Sequence, residues 1–136
     1  MAGREDCELI TIPEAECRRL LSEQHVGRLA FVRRGQPLIM PVNYVFDHDC
    51  VVFRTDPGAK LANTPFRRVA FEVDAFDFDT RIGWSVLVQG YATEITRHTD
   101  PHSEALRRLP VAPFGRGDKA HWIEIRAVTI TGRRIA

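Results

Sequence analysis

The chain has 136 residues, 44% hydrophobic and 27% charged, ordinary globular values for a chain long enough to bury one core. Nineteen basic against eighteen acidic side chains leave a net charge of +1, which excludes a polyanion-binding surface and with it a nucleic-acid partner. Cys7, Cys17 and Cys50 are odd in number and lack C-x-x-C spacing, so neither a disulfide framework nor a zinc site is expected, and no metal ligand is assigned. No apolar run approaches the roughly 18 residues of a membrane span, and the first residues lack the apolar stretch of a signal peptide. The expectation is one cytoplasmic domain over 1–136 with no membrane partner.

Thr11-Ile12-Pro13-Glu14 has the T-x-x-E form of a capping box, and Ile12, Cys17, Leu20 and Leu21 follow on one apolar face. A helix is predicted over 12–24. Residues 25–32 read as a first strand, Arg34-Gly35-Gln36-Pro37 as a turn, and 38–46 as a second strand. Asp47-His48-Asp49 turns the chain into a third strand, Val51 to Thr55. A short helical turn is predicted from Lys60 to Asn63, between Pro57-Gly58 and Pro65. Residues 69–74 form a fourth strand, which the alternation in Phe76-Asp77-Phe78-Asp79 can continue. A long fifth strand runs from Ser85 to Thr96, with Gly90 as a bulge or close-approach point. Asp100-Pro101 starts a helix through Leu109, residues 110–117 form a loop, and 121–132 close the chain as a sixth strand.

Six strands joined by hairpin-length turns, with helices only at an end and between strands, favour an antiparallel barrel over an alternating α/β sheet. Closure would protect the edges of strands this apolar.

Two segments carry chemistry. In Val51-Val52-Phe53-Arg54-Thr55-Asp56-Pro57-Gly58-Ala59-Lys60-Leu61, a strand ends in a tight turn with Arg54 and Lys60 six residues apart. Two cations beside backbone N–H groups freed by a turn suit a phosphate. Surface pairing of both with Asp56 is the alternative that spacing leaves open. Upstream stands Ile39-Met40-Pro41-Val42-Asn43-Tyr44-Val45, open to reading as an ordinary strand with Pro41 marking an edge.

Together with Gly83-Trp84-Ser85-Val86 and the final His121-Trp122-Ile123-Glu124-Ile125, these segments resemble the compact class of the pyridoxamine 5′-phosphate oxidase-like split barrels. The resemblance spans about Ile10 to Arg134. It implies a mainly β fold, a six-stranded antiparallel split β-barrel with an N-terminal helix and short additional helices. It also implies a homodimer that holds FMN in clefts between subunits. Deazaflavin, FAD or haem are the alternative cofactors, and Arg67 and Arg68 would serve the longer anionic tail of a deazaflavin. Pro41, Val42, Asn43 and Tyr44 then lie along the isoalloxazine ring, and Arg54 and Lys60 bind the phosphate. Thr55 adds a hydroxyl and Gly58 the tight turn.

Ser85 and Gln89 are candidates for the polar edge of the ring. They share a strand face with Leu87, whereas Trp84, Val86 and Val88 share the other. Trp122 is open to two readings, as a contact to the partner's flavin or as a buried strand residue. Val111 stands where many family members carry an aromatic residue. His25, His48, His98, His102 and His121 show no metal-ligand spacing, and Pro101 breaks the i,i+4 relation of His98 and His102. No catalytic residue is assigned, because a flavin carries the hydride or electron transfer and the protein supplies binding and orientation. The expected function is flavin-dependent oxidoreduction on a small molecule, with a non-catalytic flavin or haem carrier as the alternative.

Overall fold

The computed structural model describes residues 8–56, 67–112 and 120–135. The elements in chain order are β1 (Leu9–Ile12), α1 (Glu14–Glu23), β2 (Val26–Arg33), β3 (Gln36–Asn43), β4 (Val45–Asp47), β5 (Cys50–Thr55), β6 (Arg67–Asp77), β7 (Ile82–Glu94), α2 (Pro101–Leu106) and β8 (His121–Ile135). All pairings are antiparallel, in the order β3-β2-β6-β7-β8-β5-β4, with β1 paired to β8. The antiparallel barrel is therefore the observed architecture.

Its strand count is eight among the described residues, against the six expected. One extra strand is β1, where Thr11 is drawn into a ladder opposite Arg133. That extended backbone removes Thr11 from the expected capping box, so Pro13 takes the N-cap without a side-chain bond and α1 starts at Glu14. The other comes from a break at Tyr44 in the expected 38–46 strand. β3 and β4 lie at opposite ends of the hydrogen-bonded order, yet a single residue separates them. The sheet must curl until its two edges meet at Tyr44, and that curl makes the barrel.

Two hairpins are tight. Arg33 pairs with Gln36 across Arg34 (φ 50°) and Gly35 (φ 75°), the two positive φ values that a type I′ turn requires. Asp47 pairs with Cys50 across His48, also at positive φ.

Inside the barrel, Leu29, Phe31, Val42, Val51, Phe53, Phe71, Val73, Val86, Val88, Ile123, Ile125 and Ile130 form the main core, which α1 closes with Cys17, Leu20 and Leu21. A second cluster, Cys50, Val52, Ile95, Leu106 and Val111, lies on the other face of β5 under α2. Strand β8 reaches both environments through a bulge. Gln89 pairs with Thr129 and Gly90 with Ala127, so Val128 is the extra residue. Before the bulge the odd residues Ile123 and Ile125 are buried; after it the even residues Ile130 and Gly132 are. One inserted residue has reversed the facing of the strand.

Gly90 permits this, because a Cβ there would stand 2.1 Å from the Arg126 carbonyl oxygen. Gly90→Ala should therefore cost about 1–3 kcal/mol, since backbone cannot yield as a side chain can. Chemical denaturation checks this, and an unchanged midpoint would remove Gly90 from the account of the bulge.

Candidate functional site

Directly paired residues of an antiparallel sheet point to the same face, so the register lays out the barrel's outer surface row by row. One row is Ile39, Ala30, Ala70, Gln89 and Thr129 across β3, β2, β6, β7 and β8. The next is Pro41, Arg28, Glu72, Leu87 and Thr131. Asn43 pairs with Val26, and Ser85 stands between Asp74 and Arg133. Pro41, Asn43, Ser85 and Gln89 thus share one outer face. Across its upper part lies an apolar groove of about 550 Å³, lined among others by Leu38, Ile39, Arg68, Gln89, Tyr91 and Val128. Ile39 and Val128 are 72% and 66% exposed, a large apolar surface to leave in water.

Strand β3 also offers backbone. Pro37 and Pro41 carry no N–H, which suits positions whose backbone faces away from the ladder. The neighbouring parity does face it, since the Tyr44 N–H donates to the His25 carbonyl at 3.0 Å. Odd positions of β3 consequently turn their polar backbone toward its outer edge, with which no described strand pairs. The N–H and C=O of Ile39 and Asn43 lie along that edge.

Val42 and Tyr44 point the other way. Val42 is in the core, and the Tyr44 ring packs edge-on against Phe71 at 4.9 Å between centroids. The Tyr44 hydroxyl donates to the Leu21 carbonyl at 2.6 Å, satisfying one of the orphan carbonyls in the last turn of α1. Burial raises the Tyr44 pKa, so the phenol stays a donor. The side chains of these two residues face the core and their backbone faces β2.

Arg54 stands elsewhere, on β5 opposite Trp122 of β8. Its guanidinium lies 5.2 Å from the indole centroid and donates to the Val111 carbonyl at 3.4 Å. Trp122 is half-buried against the second cluster, and its backbone N–H donates to the Thr96 hydroxyl at 2.7 Å. Thr55 is buried, with its hydroxyl donating to the Asp56 carbonyl at 3.0 Å. Gly58, Lys60 and the helical turn expected at 60–63 lie outside the described residues, as do residues 113–119 of the late loop. The structure therefore unites Pro41, Asn43, Ser85 and Gln89 on one face, and Arg54 with Trp122 beneath α2. Neither Arg54 nor Trp122 lines the apolar groove.

Two constellations carry no signal in the linear sequence. Arg28 bridges Glu72 and Asp74, each at 3.1 Å, beside Pro41 on the outer face. Burial, then the Asp74 carboxylate, pushes the Glu72 carboxyl up to about 7 against the pull of Arg28. The second is Cys50, His102 and Glu124, separated in sequence by 52, 74 and 22 residues. Burial, then the Glu124 carboxylate, pushes the Cys50 thiol up to about 12, so Cys50 is no nucleophile at neutral pH.

Fold and face together define a split barrel with an apolar outer groove and an unpaired strand edge. The chain belongs to the pyridoxamine 5′-phosphate oxidase family, whose model matches residues 13–134. An uncharacterized protein of Mycobacterium tuberculosis is 32% identical over 134 residues, covering 94% of this chain and 86% of the relative. Among solved structures, an FAD-binding protein of Mycobacterium smegmatis is 31% identical, covers 92% of this chain and 96% of its own, and superposes with a TM-score of 0.75. A putative pyridoxamine 5′-phosphate oxidase of Corynebacterium glutamicum is 28% identical over 98% of this chain and 96% of its own, with a TM-score of 0.78.

Two predictions follow from the buried phenol and the raised carboxyl. Tyr44→Phe should cost about 1–3 kcal/mol in chemical denaturation, because it strands the Leu21 carbonyl in an apolar setting. An unchanged midpoint would show that this carbonyl finds another partner. For Glu72 the folded-state pKa of about 7 exceeds the ordinary 4.5, so protonation favours the fold. That contribution is complete below 4.5 and lost as pH rises through about 7. Glu72→Gln keeps the neutral form, and its melting temperature should exceed the wild type's by a margin that grows across this window. A margin independent of pH would contradict the raised value.

Proposed function

We propose that the chain binds a flavin nucleotide and serves as a flavin-dependent oxidoreductase acting on a small molecule. The observation that carries this reading is the shared outer face. Pro41 and Asn43 of β3 and Ser85 and Gln89 of β7 share a face that carries an apolar groove at its Gln89 end, beside a strand edge with which no described strand pairs. A flavin ring needs that combination, apolar surface for its faces and backbone donors and acceptors for its pyrimidine edge. Family membership and the 31% identical FAD-binding relative support the same cofactor class.

Within this reading Asn43 and Ile39 present backbone to the ring edge, with Pro41 beside them. Val42 and Tyr44 hold the strand in place, with side chains in the core and backbone turned toward β2. Arg54 binds phosphate through its planar guanidinium, and Lys60 and Gly58, outside the described residues, are assigned to the same phosphate site. Thr55 lies beside Arg54, its hydroxyl donating to the Asp56 carbonyl. The bound flavin would supply hydride or electron transfer, and the residues named here bind it, orient it and exclude water. Arg54 and Trp122 lie apart from the groove, so a second copy of the chain is the natural means of bringing both regions to one cofactor. Ile39 and Val128 would then be covered in a homodimer. FMN is the first candidate, and the FAD-binding relative supports FAD as the other.

The test is an absorption spectrum of the purified protein before and after incubation with FMN or FAD and desalting. Retained flavin bands are expected, and the double variant Arg54→Ala/Lys60→Ala should weaken uptake at least about 10-fold while the fold is kept. Unchanged uptake would sink the phosphate assignment, and absence of uptake by the wild type would sink the flavin reading. Oxidation of a reduced nicotinamide by the loaded protein separates an enzyme from a carrier.

A further inference from the structure

Strand β5, strand β8 and helix α2 converge on three side chains with no part in the flavin reading. The His102 Nε2 lies 2.7 Å from the Glu124 Oε2, the Cys50 Sγ 3.4 Å from that oxygen, and Sγ and Nε2 stand 3.9 Å apart. Each residue thus offers one ligand atom to a common point, and among the described residues no other group of three His, Cys, Asp or Glu does so. Their chemistry is mixed thiolate, imidazole and carboxylate, the donor set that Zn²⁺ accepts. Bonds of about 2.0 Å to nitrogen and oxygen and about 2.3 Å to sulfur place donors of a tetrahedral site roughly 3.3–3.6 Å apart. The observed separations bracket that span, so a cation could be seated by movements well under 1 Å.

Three further features point to a ligand rather than to packing alone. Glu124 is a carboxylate only 6% exposed, a costly residue to keep unless paired or ligating. Its second oxygen, Oε1, accepts from Arg126 at 3.4 Å, which fixes the carboxylate and leaves Oε2 aimed at His102 and Cys50. The Arg126 side chain is 63% exposed, with its guanidinium on the Oε1 side of the carboxylate. His102 is carried by a short helix held in register: Asp100 accepts from the Ser103 N–H at 2.9 Å and hydroxyl at 2.8 Å, and Arg107 donates to the Ile95 carbonyl at 2.6 Å. Finally, a cavity of about 320 Å³ lies against His102 and Glu124 but not against Cys50. The buried thiol forms the back of the cluster and the cavity its open side.

We propose that Cys50, His102 and Glu124 form a zinc site with its fourth coordination position open to this cavity, where water or a small anionic ligand binds. Ligation replaces the thiol proton of Cys50 with the metal, and the proton leaves to solvent. His98 and Asp100 line the same cavity. Three protein ligands with one exchangeable position is the arrangement of reactive rather than purely structural zinc.

The experiment uses the full chain, stripped with a chelator, loaded with Zn²⁺ or Co²⁺ and desalted. One metal ion per chain should be retained, and the Co²⁺ form should show the intense visible bands of four-coordinate cobalt with a thiolate charge-transfer band. Cys50→Ser, nearly isosteric, should abolish the charge-transfer band, which also separates Cys50 from Cys7 and Cys17. His102→Ala should weaken Zn²⁺ binding by more than the roughly 10–100-fold expected for an outer-shell partner. Zn²⁺ should raise the melting temperature of the wild type and leave both variants unchanged. The wild-type measurements need no variant to fold. Failure to retain metal, or a cobalt spectrum that survives both substitutions, would reduce the cluster to a hydrogen-bonded triad and overturn the proposal. Flavin uptake is read separately in the same samples, so either result stands without the other.

Discussion

The barrel turns on a single residue. Tyr44 alone separates β3 from β4, strands at opposite edges of the sheet, so the two edges must meet where it stands. Its side chain is buried there, edge-on to Phe71 and bonded to the last turn of α1. One side chain thereby joins the corner of the barrel, its core and the helix that plugs it. The same corner leaves the outer edge of β3 unpaired among the described strands. An open edge with polar backbone is ordinarily an invitation to aggregation, and here two prolines limit it by removing donors from the exposed row. The donors that remain, at Ile39 and Asn43, are the ones available to a ring.

Strand β8 supplies the second constraint. Had Val128 taken a regular place in the ladder, either Ile123 and Ile125 or Ile130 would face solvent, and Glu124 would lose its place under α2 or Thr129 its place on the outer face. The bulge lets a strand of 15 residues serve two environments with a correct pattern in each. Before it, Trp122 and Glu124 look toward Arg54 and His102; after it, Thr129 looks along the groove, where its hydroxyl donates to Gln89 at 3.2 Å.

Much of this was legible in the amino-acid sequence because its signals are local. Apolar runs marked every long strand, Asp100-Pro101 marked the start of α2, Gly90 marked the bulge, and Arg34-Gly35-Gln36-Pro37 marked a turn, of which Gln36 and Pro37 belong to β3. Other features were not, for reasons that differ. Alternation runs unbroken through Tyr44, since a corner between two strands of matching parity disturbs no pattern. Thr11-x-x-Glu14 satisfied a local rule that lost to a long-range ladder with β8. The side chains of Val42 and Tyr44 turn inward while Pro41 and Asn43 turn outward, and alternation shows only that they differ, not which pair is buried. The Cys50, His102 and Glu124 cluster was hidden most completely, because ligand motifs are recognised by short spacing and these residues meet only through the fold.

The two regions of chemistry are neighbours through that same bulge. Tyr91 and Val128 line both the apolar groove and the cavity beside Glu124. The wall between them is therefore one aromatic ring and the one residue of β8 that lies outside the ladder register. Ladder residues are pinned by backbone bonds on either side, whereas a bulged residue can shift without breaking a pair. Tyr91 stands opposite Arg126 in the ladder, and Val128 lies two residues further along the strand from Arg126, so both contacts between the two regions are set by β7 and β8 at the bulge. The bulge that keeps the apolar residues of β8 in the core thus also sets the wall between the groove and the cavity.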